Sequence, residues 1–203
     1  MTARQRLPGP PARPQRRRIR DRDGTLEYVI VPAAQHVHTL LASYPDFPLP
    51  GILFRDLNPV FADAVAFRAI IDDLSERYRG QFDAVAGIEA RGFLLAAGIG
   101  YAAECAVLAV RKGGKLPGTV LTEEYDLEYG SARLELEVGQ LPAGSRVLIV
   151  DDVLATGGTV AATARLIERA GYVMIGVGVV LELAELDGRS RIGDVPVHTI
   201  VSV

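Results

Sequence analysis

Apolar positions along this chain change their period several times, and each change marks an element. Residues 33–43 read as a short helix. Residues 60–79 carry Phe61, Val65, Phe67, Ile70, Ile71 and Leu74 at helical spacing, and Gly80 ends that run. Continuous apolar stretches of strand length follow at Phe82 to Ile88, Ala106 to Val110, Val147 to Val150 and, rich in β-branched residues, 173–181. Of these, Phe82 to Ile88 and Val147 to Val150 read as strands buried on both faces. Helical patterns separate them, over 94–103 and after Thr159, where Val160, Ala164 and Ile167 share a face. The alternation Leu134, Glu135, Leu136, Glu137, Val138 predicts a strand with one face to solvent, within a hairpin over 119–138. A basic turn over 188–193 precedes a last strand, Val195 to Val201. Strands and helices in alternation predict an α/β fold: a mostly parallel central sheet flanked by helices, joined by right-handed crossovers.

The start of the chain departs from this pattern. Pro8, Pro10, Pro11 and Pro14 and the cluster Arg16-Arg17-Arg18 predict a disordered arm over residues 1–25. Residues 27–31 have the make-up of a short strand. The expected division is an Arg/Pro-rich, disordered extension over 1–32 and one domain over 33–203. No apolar segment follows the arginines, so a secretory leader is not expected. A chain of 203 residues that is 49% hydrophobic can fill a single core. No stretch approaches about 18 uninterrupted apolar residues, so no membrane span is expected. Cys105 is alone, which excludes an intrachain disulfide and suits a cytoplasmic protein. Its apolar neighbours make it a buried structural thiol. His36, His38 and His198 lack the spacing of a zinc site. Setting aside the eight arginines and two aspartates of residues 1–23 leaves fourteen basic and twenty-three acidic groups, a balance of −9. Bulk charge of that sign argues against a nucleic-acid partner.

Candidate chemistry gathers after the strand Val147 to Val150. Asp151 and Asp152 follow it, then Val153, Leu154 and the turn Ala155-Thr156-Gly157-Gly158-Thr159. Ligands of open α/β sheets bind beyond the carboxyl ends of the strands, and glycine-freed N–H groups at a helix start receive anions. No Lys follows the glycines, so this is not the GxxxxGK[ST] nucleotide loop. Carboxylates beside an anion cradle suit a ligand bearing both phosphate and vicinal hydroxyls, such as a ribose 5-phosphate. Arg91, at a strand-to-helix turn, has the planar fork that binds phosphate bidentately. Arg111, Lys112 and Lys115 lie in a glycine-rich loop, read equally as an anion contact or as a solvated basic turn. Phe54 is as readily a core aromatic as a ligand contact, and Leu183 can equally be plain core.

The string Val147 to Thr159 resembles the phosphoribosyl-diphosphate (PRPP) motif of the type I phosphoribosyltransferases. Asp46-Phe47-Pro48-Leu49-Pro50-Gly51-Ile52-Leu53-Phe54-Arg55-Asp56 is similar to the amino-terminal signature of one family among them, the adenine phosphoribosyltransferases. Leu127-Glu128-Tyr129-Gly130 matches that family's lid, and the resemblance covers about residues 36–203. It implies the type I fold with a small hood and a flexible lid hairpin. It also implies transfer of the 5-phosphoribosyl group from PRPP to adenine, giving AMP and diphosphate, a purine salvage step. By the same resemblance Asp151, Asp152 and Glu128 are catalytic, and Ala155, Thr156, Gly157, Gly158 and Thr159 bind the 5-phosphate. Arg91, Arg111, Lys112 and Lys115 take the diphosphate, while Leu53, Phe54, Arg55 and Leu183 contact adenine. Magnesium is expected to come with PRPP, without a direct protein ligand. A homodimer is expected, and the Glu89–Ala90 bond corresponds to a non-proline cis peptide frequent in this fold. The alternatives are an enzyme for another purine, xanthine or hypoxanthine, or a non-catalytic PRPP-sensing regulator. Thirty-five residues of proline and arginine are too few for the regulator's DNA-binding domain.

Overall fold

Helices cover both faces of the stretches ending at Ile88 and Val150, whereas Ala106, Val107 and Ala109 of the stretch Ala106 to Val110 are exposed. The computed structural model describes residues 17–20, 26–29, 31–126 and 131–203. The chain divides into two units, Met1–Pro32 and Ala33–Val203. In the first, β1 (Arg17–Arg20) and β2 (Leu26–Val29) pair antiparallel, with Arg17 opposite Val29 and Arg20 opposite Leu26. The remainder of the arm expected over 1–25 lies outside the described residues.

The second unit begins with α1 (Ala33–Leu40) and a hairpin of β3 (Ala42–Pro45) and β4 (Leu53–Asp56). Next come α2 (Asn58–Ala62), α3 (Ala64–Arg77), β5 (Ala84–Ile88), α4 (Gly92–Ala103) and β6 (Ala106–Lys112). An arm of β7 (Val120–Asp126) and β8 (Ser131–Glu137) leads to β9 (Arg146–Leu154), α5 (Gly158–Arg169) and β10 (Val173–Glu182). Two 3-10 turns, Ala184–Leu186 and Gly188–Arg191, precede β11 (Val197–Ser202). Seven strands form one sheet in the order β11-β10-β9-β5-β6-β8-β7. Pairs from β11 to β6 are parallel; β6 with β8 and β8 with β7 are antiparallel. Alternate residues of β9 feed two apolar layers. Leu148 and Val150 join Ile70, Leu74, Leu95 and Ile99 of α3 and α4. Val147 and Ile149 join Val160, Leu166 and Ile167 of α5. The parallel run brings the carboxyl ends of β5, β9 and β10 to one edge, which is the ligand edge of such sheets. Among the described residues no helix is long and apolar enough to cross a membrane.

The structure corrects several local expectations. The helix expected over 60–79 is two. Asp63 stands between them in extended backbone, and its Oδ1 accepts the N–H groups of Val65 at 2.9 Å and Ala66 at 2.8 Å. A carboxylate serving two otherwise unpaired N–H groups starts a new helix there. Val65, expected in the core, is exposed. The helix expected over 33–43 stops at Leu40, and Ala42–Pro45 is extended, as residues before and at proline prefer. Glu135, expected to face solvent, is only 4% exposed, with Oε1 at 3.3 Å from Arg133 Nη2. Cys105 is half-buried, and burial pushes its thiol up, against a nucleophilic role. The Glu89–Ala90 peptide is cis, as the resemblance implied, and so is Phe47–Pro48.

Candidate active site

Glycines build the centre of this edge. A Cβ on Gly92 would lie 2.9 Å from the Val150 carbonyl oxygen and 3.1 Å from Asp151 Oδ1. A Cβ on Gly87 would lie 2.6 Å from the Gly92 carbonyl oxygen and 2.7 Å from the Ala96 Cβ. Two missing side chains thus let the first turn of α4 press onto β5 and the end of β9. That approach delivers Arg91, whose Nε comes within 2.7 Å of Asp152 Oδ2. The contact is a charge contact without hydrogen-bond alignment, since Oδ2 has no hydrogen-bond partner in its buried position. Asp151 turns its Oδ1 back to accept the N–H of Asp152 at 2.9 Å. Burial, and then the neighbouring Asp152 charge, push the Asp151 carboxyl well above the usual range.

The chain then bends at Gly157, where φ is +77°, and α5 begins at Gly158. Its first N–H groups have no partner within the helix and point out of its start. A Cβ on Gly157 would sit 2.2 Å from the Gly188 carbonyl oxygen, so the loop rests directly on the second 3-10 turn. Thr156 and Thr159 are half-buried beside the buried Gly157 and Gly158. Leu183 donates its N–H to the Leu154 carbonyl at 2.9 Å and packs against the α3–α4 layer.

Two cations of the glycine-rich loop, Arg111 and Lys115, converge on one carboxylate that sequence reasoning did not single out. Glu89 Oε1 meets Lys115 Nζ at 2.5 Å, while Oε2 lies 3.4 Å from Arg111 Nε and accepts the Lys112 N–H at 3.0 Å. The Lys115 ammonium, first among these partners, holds the Glu89 carboxyl below its ordinary value. Arg111 Nη1 also donates to the Lys115 carbonyl at 3.2 Å, which folds the loop on itself. A signal was present in its place: Glu89 directly follows the buried strand β5, at the same sheet edge as Arg91.

The hood residues belong to the β3–β4 hairpin. Phe54 stands opposite Tyr44 and makes an edge-to-face contact with Phe47, centroids 5.2 Å apart. Leu53 is exposed, and Arg55 Nη1 donates to Ser43 Oγ at 2.8 Å. The hairpin turn is tied by Asp46, whose Oδ1 accepts the Gly51 N–H at 2.7 Å. Arg91, Asp151, Asp152, the 155–159 loop and Leu183 thus share the β5–β9–β10 edge, whereas Leu53, Phe54 and Arg55 are held by their own hairpin. Glu128 lies outside the described residues. Among the described residues no group of three or more His, Cys, Asp or Glu side chains could hold a metal ion.

Comparison with known proteins adds to this geometry. A family model described as a phosphoribosyl transferase domain matches residues 58–202. The chain is 61% identical over 162 residues to an adenine phosphoribosyltransferase of Arthrobacter sp. (strain FB24), covering 80% of this chain and 88% of that one. It is 52% identical over 171 residues to the adenine phosphoribosyltransferase of Mycobacterium tuberculosis, covering 84% of this chain and 80% of that one. Among solved structures, the adenine phosphoribosyltransferase of Rhodothermus marinus superposes with a TM-score of 0.79 at 42% identity, over 84% of this chain and 98% of that one. The Saccharomyces cerevisiae enzyme, complexed with D-2,5-dideoxy-2,5-imino-altritol 1,6-bisphosphate and adenine, gives 0.78 at 39% identity, over 83% and 98%.

Proposed function

The chain belongs to the phosphoribosyl transferase family, among its adenine phosphoribosyltransferases, and on that premise we propose how its residues transfer the 5-phosphoribosyl group of PRPP to adenine. The products are AMP and diphosphate. Relatives at 52–61% identity carry this name, so neither another purine nor a non-catalytic regulator is favoured.

The N–H groups from Ala155 to Thr159, with the Thr156 and Thr159 hydroxyls, receive the 5-phosphate. Asp151 and Asp152 accept hydrogen bonds from the ribose hydroxyls. Arg91 leaves Asp152 for the diphosphate, joined by Lys112 and by Arg111 and Lys115 as these two exchange Glu89 for the substrate's charge. Magnesium would arrive with PRPP and would offset charge on the leaving diphosphate. Adenine lies between Phe54 and Leu183, with the backbone of Leu53 and Arg55 on its edge. A purine ring nitrogen attacks the anomeric carbon as the carbon–oxygen bond to diphosphate breaks, and that electron pair leaves with the diphosphate. Positive charge builds on the ribose beside the two aspartates, and Glu128 takes the proton the purine loses. Closure of the β7–β8 arm shuts out water that would otherwise hydrolyse PRPP. The protein acts as a homodimer in the cytoplasm, and light scattering tests the dimer.

One observation carries the residue roles: Arg91 and the two aspartates meet at the ends of β5 and β9, with the 155–159 loop directly following. The test is AMP formation from adenine, PRPP and magnesium, with hypoxanthine and guanine as controls. AMP from adenine alone supports the reading; equal turnover of hypoxanthine overturns its specificity.

A further inference from the structure

Beneath the 155–159 loop lies a polar cluster that the transfer chemistry does not use. Glu182 ends β10, is 8% exposed, and pairs in register with Leu154, the residue before the loop. Arg189 grips it with both arms of its fork: Nε reaches Glu182 Oε1 at 2.6 Å and Nη2 reaches Oε2 at 2.7 Å. The same guanidinium donates to Thr199 Oγ1 at 3.0 Å and to the Val197 carbonyl at 3.1 Å, both on β11. Thr199 in turn donates to Glu182 Oε2 at 3.1 Å. Arg189 is thereby fixed to two strands of the sheet.

What Arg189 carries is its neighbour. Gly188 is buried, and a Cβ there would lie 2.2 Å from the Ala155 carbonyl oxygen, 3.0 Å from the Gly157 nitrogen and 3.1 Å from Leu154 Cδ1. In the opposite direction, a Cβ on Gly157 would lie 2.2 Å from the Gly188 carbonyl oxygen. Two backbones touch with no side chain between them, so a shift of one displaces the other. The turn is also stiff, since Ser190 donates both its N–H and its hydroxyl to the Asp187 carbonyl, at 3.2 and 2.8 Å.

We propose that Arg189 is a positioning residue for the 5-phosphate: its bidentate pair with Glu182 holds the Gly188 turn against Ala155 and Gly157, and so sets the direction of the loop N–H groups. The inference rests on the phosphate reading of that loop. A lysine cannot replace the fork, because a point charge cannot satisfy two carboxylate oxygens and two strand acceptors in fixed geometry.

The experiment uses the full chain with Arg189→Lys and Arg189→Met. It measures ribose 5-phosphate binding by calorimetry, and KM for PRPP, KM for adenine at saturating PRPP, and kcat. Both variants should weaken ribose 5-phosphate binding and raise KM for PRPP about tenfold, while KM for adenine stays within about twofold. Arg189→Lys keeps the charge, and its expected failure to rescue binding separates fork geometry from charge. Ribose 5-phosphate binding within twofold of wild type overturns the proposal. So does a parallel loss for both substrates, the mark of a merely structural pair. Should Arg189→Met not fold, Arg189→Lys alone yields the same comparison. Failure of the wild-type protein to bind ribose 5-phosphate would instead strike down the phosphate reading of the loop.

Discussion

The role proposed for Asp151 beside the reacting ribose carries a cost to the fold. Its carboxyl is raised by burial and by Asp152, so the folded value stands above the unfolded one. Such a group favours folding below its unfolded pKa, and that contribution is lost as pH rises through the folded pKa. Asp151→Asn should therefore raise the melting temperature relative to wild type more at pH 8 than at pH 4, as thermal denaturation at the two values will show. The same substitution should lower kcat about a hundredfold, in the range typical for loss of a group that stabilises transition-state charge. Glu128→Gln should lower kcat by about a hundredfold or more with a smaller change in KM for PRPP, as steady-state kinetics will show. The adjacent acids and the glycine loop were legible in the sequence because strand, acids and loop are contiguous. The Arg91–Asp152 contact was not, because it depends on which strand lies beside β9 and on how closely α4 approaches it; nor was the pairing of Glu89 with Arg111 and Lys115, which depends on β6 lying beside β5. Glu135 misled for a related reason: alternation assigns faces but does not show that the outer face is covered.

Among the elements, the break at Asp63 is the clearest case of local chemistry overriding periodicity. The apolar spacing runs through 60–79 without interruption, yet two N–H groups find a better acceptor in the Asp63 carboxylate. Asp63→Ala should cost about 1 kcal/mol and lower the melting temperature by about 2–4 °C, read by calorimetry, with no change in KM for either substrate. The buried strands were the most legible elements because both faces must be apolar. The β3 strand was hidden because its residues pair with β4, eight to fourteen positions away, and carry little apolar signal of their own.

For the whole molecule, composition and the strand–helix alternation gave the α/β class, while strand order came only from the structure. The Ala33–Val203 unit contains both apolar layers, and its residues supply every group assigned to the substrates. Removing residues 2–32 should accordingly leave kcat, both KM values and the melting temperature close to those of the full chain; a large loss in any of them would give the first unit a part in the reaction. The sheet also bears on how the arm can be redesigned. The β6–β8 pairing sets Arg111 opposite Glu135 and Lys112 opposite Leu134, while Leu134 and Leu136 fill the α5-side layer. Sliding β8 by a single residue would exchange its faces, driving Glu135 into hydrocarbon and both leucines out of it. The arm is thus a ratchet locked at one tooth. A one-residue deletion within Ser131–Glu137 should accordingly abolish folding rather than retune substrate choice.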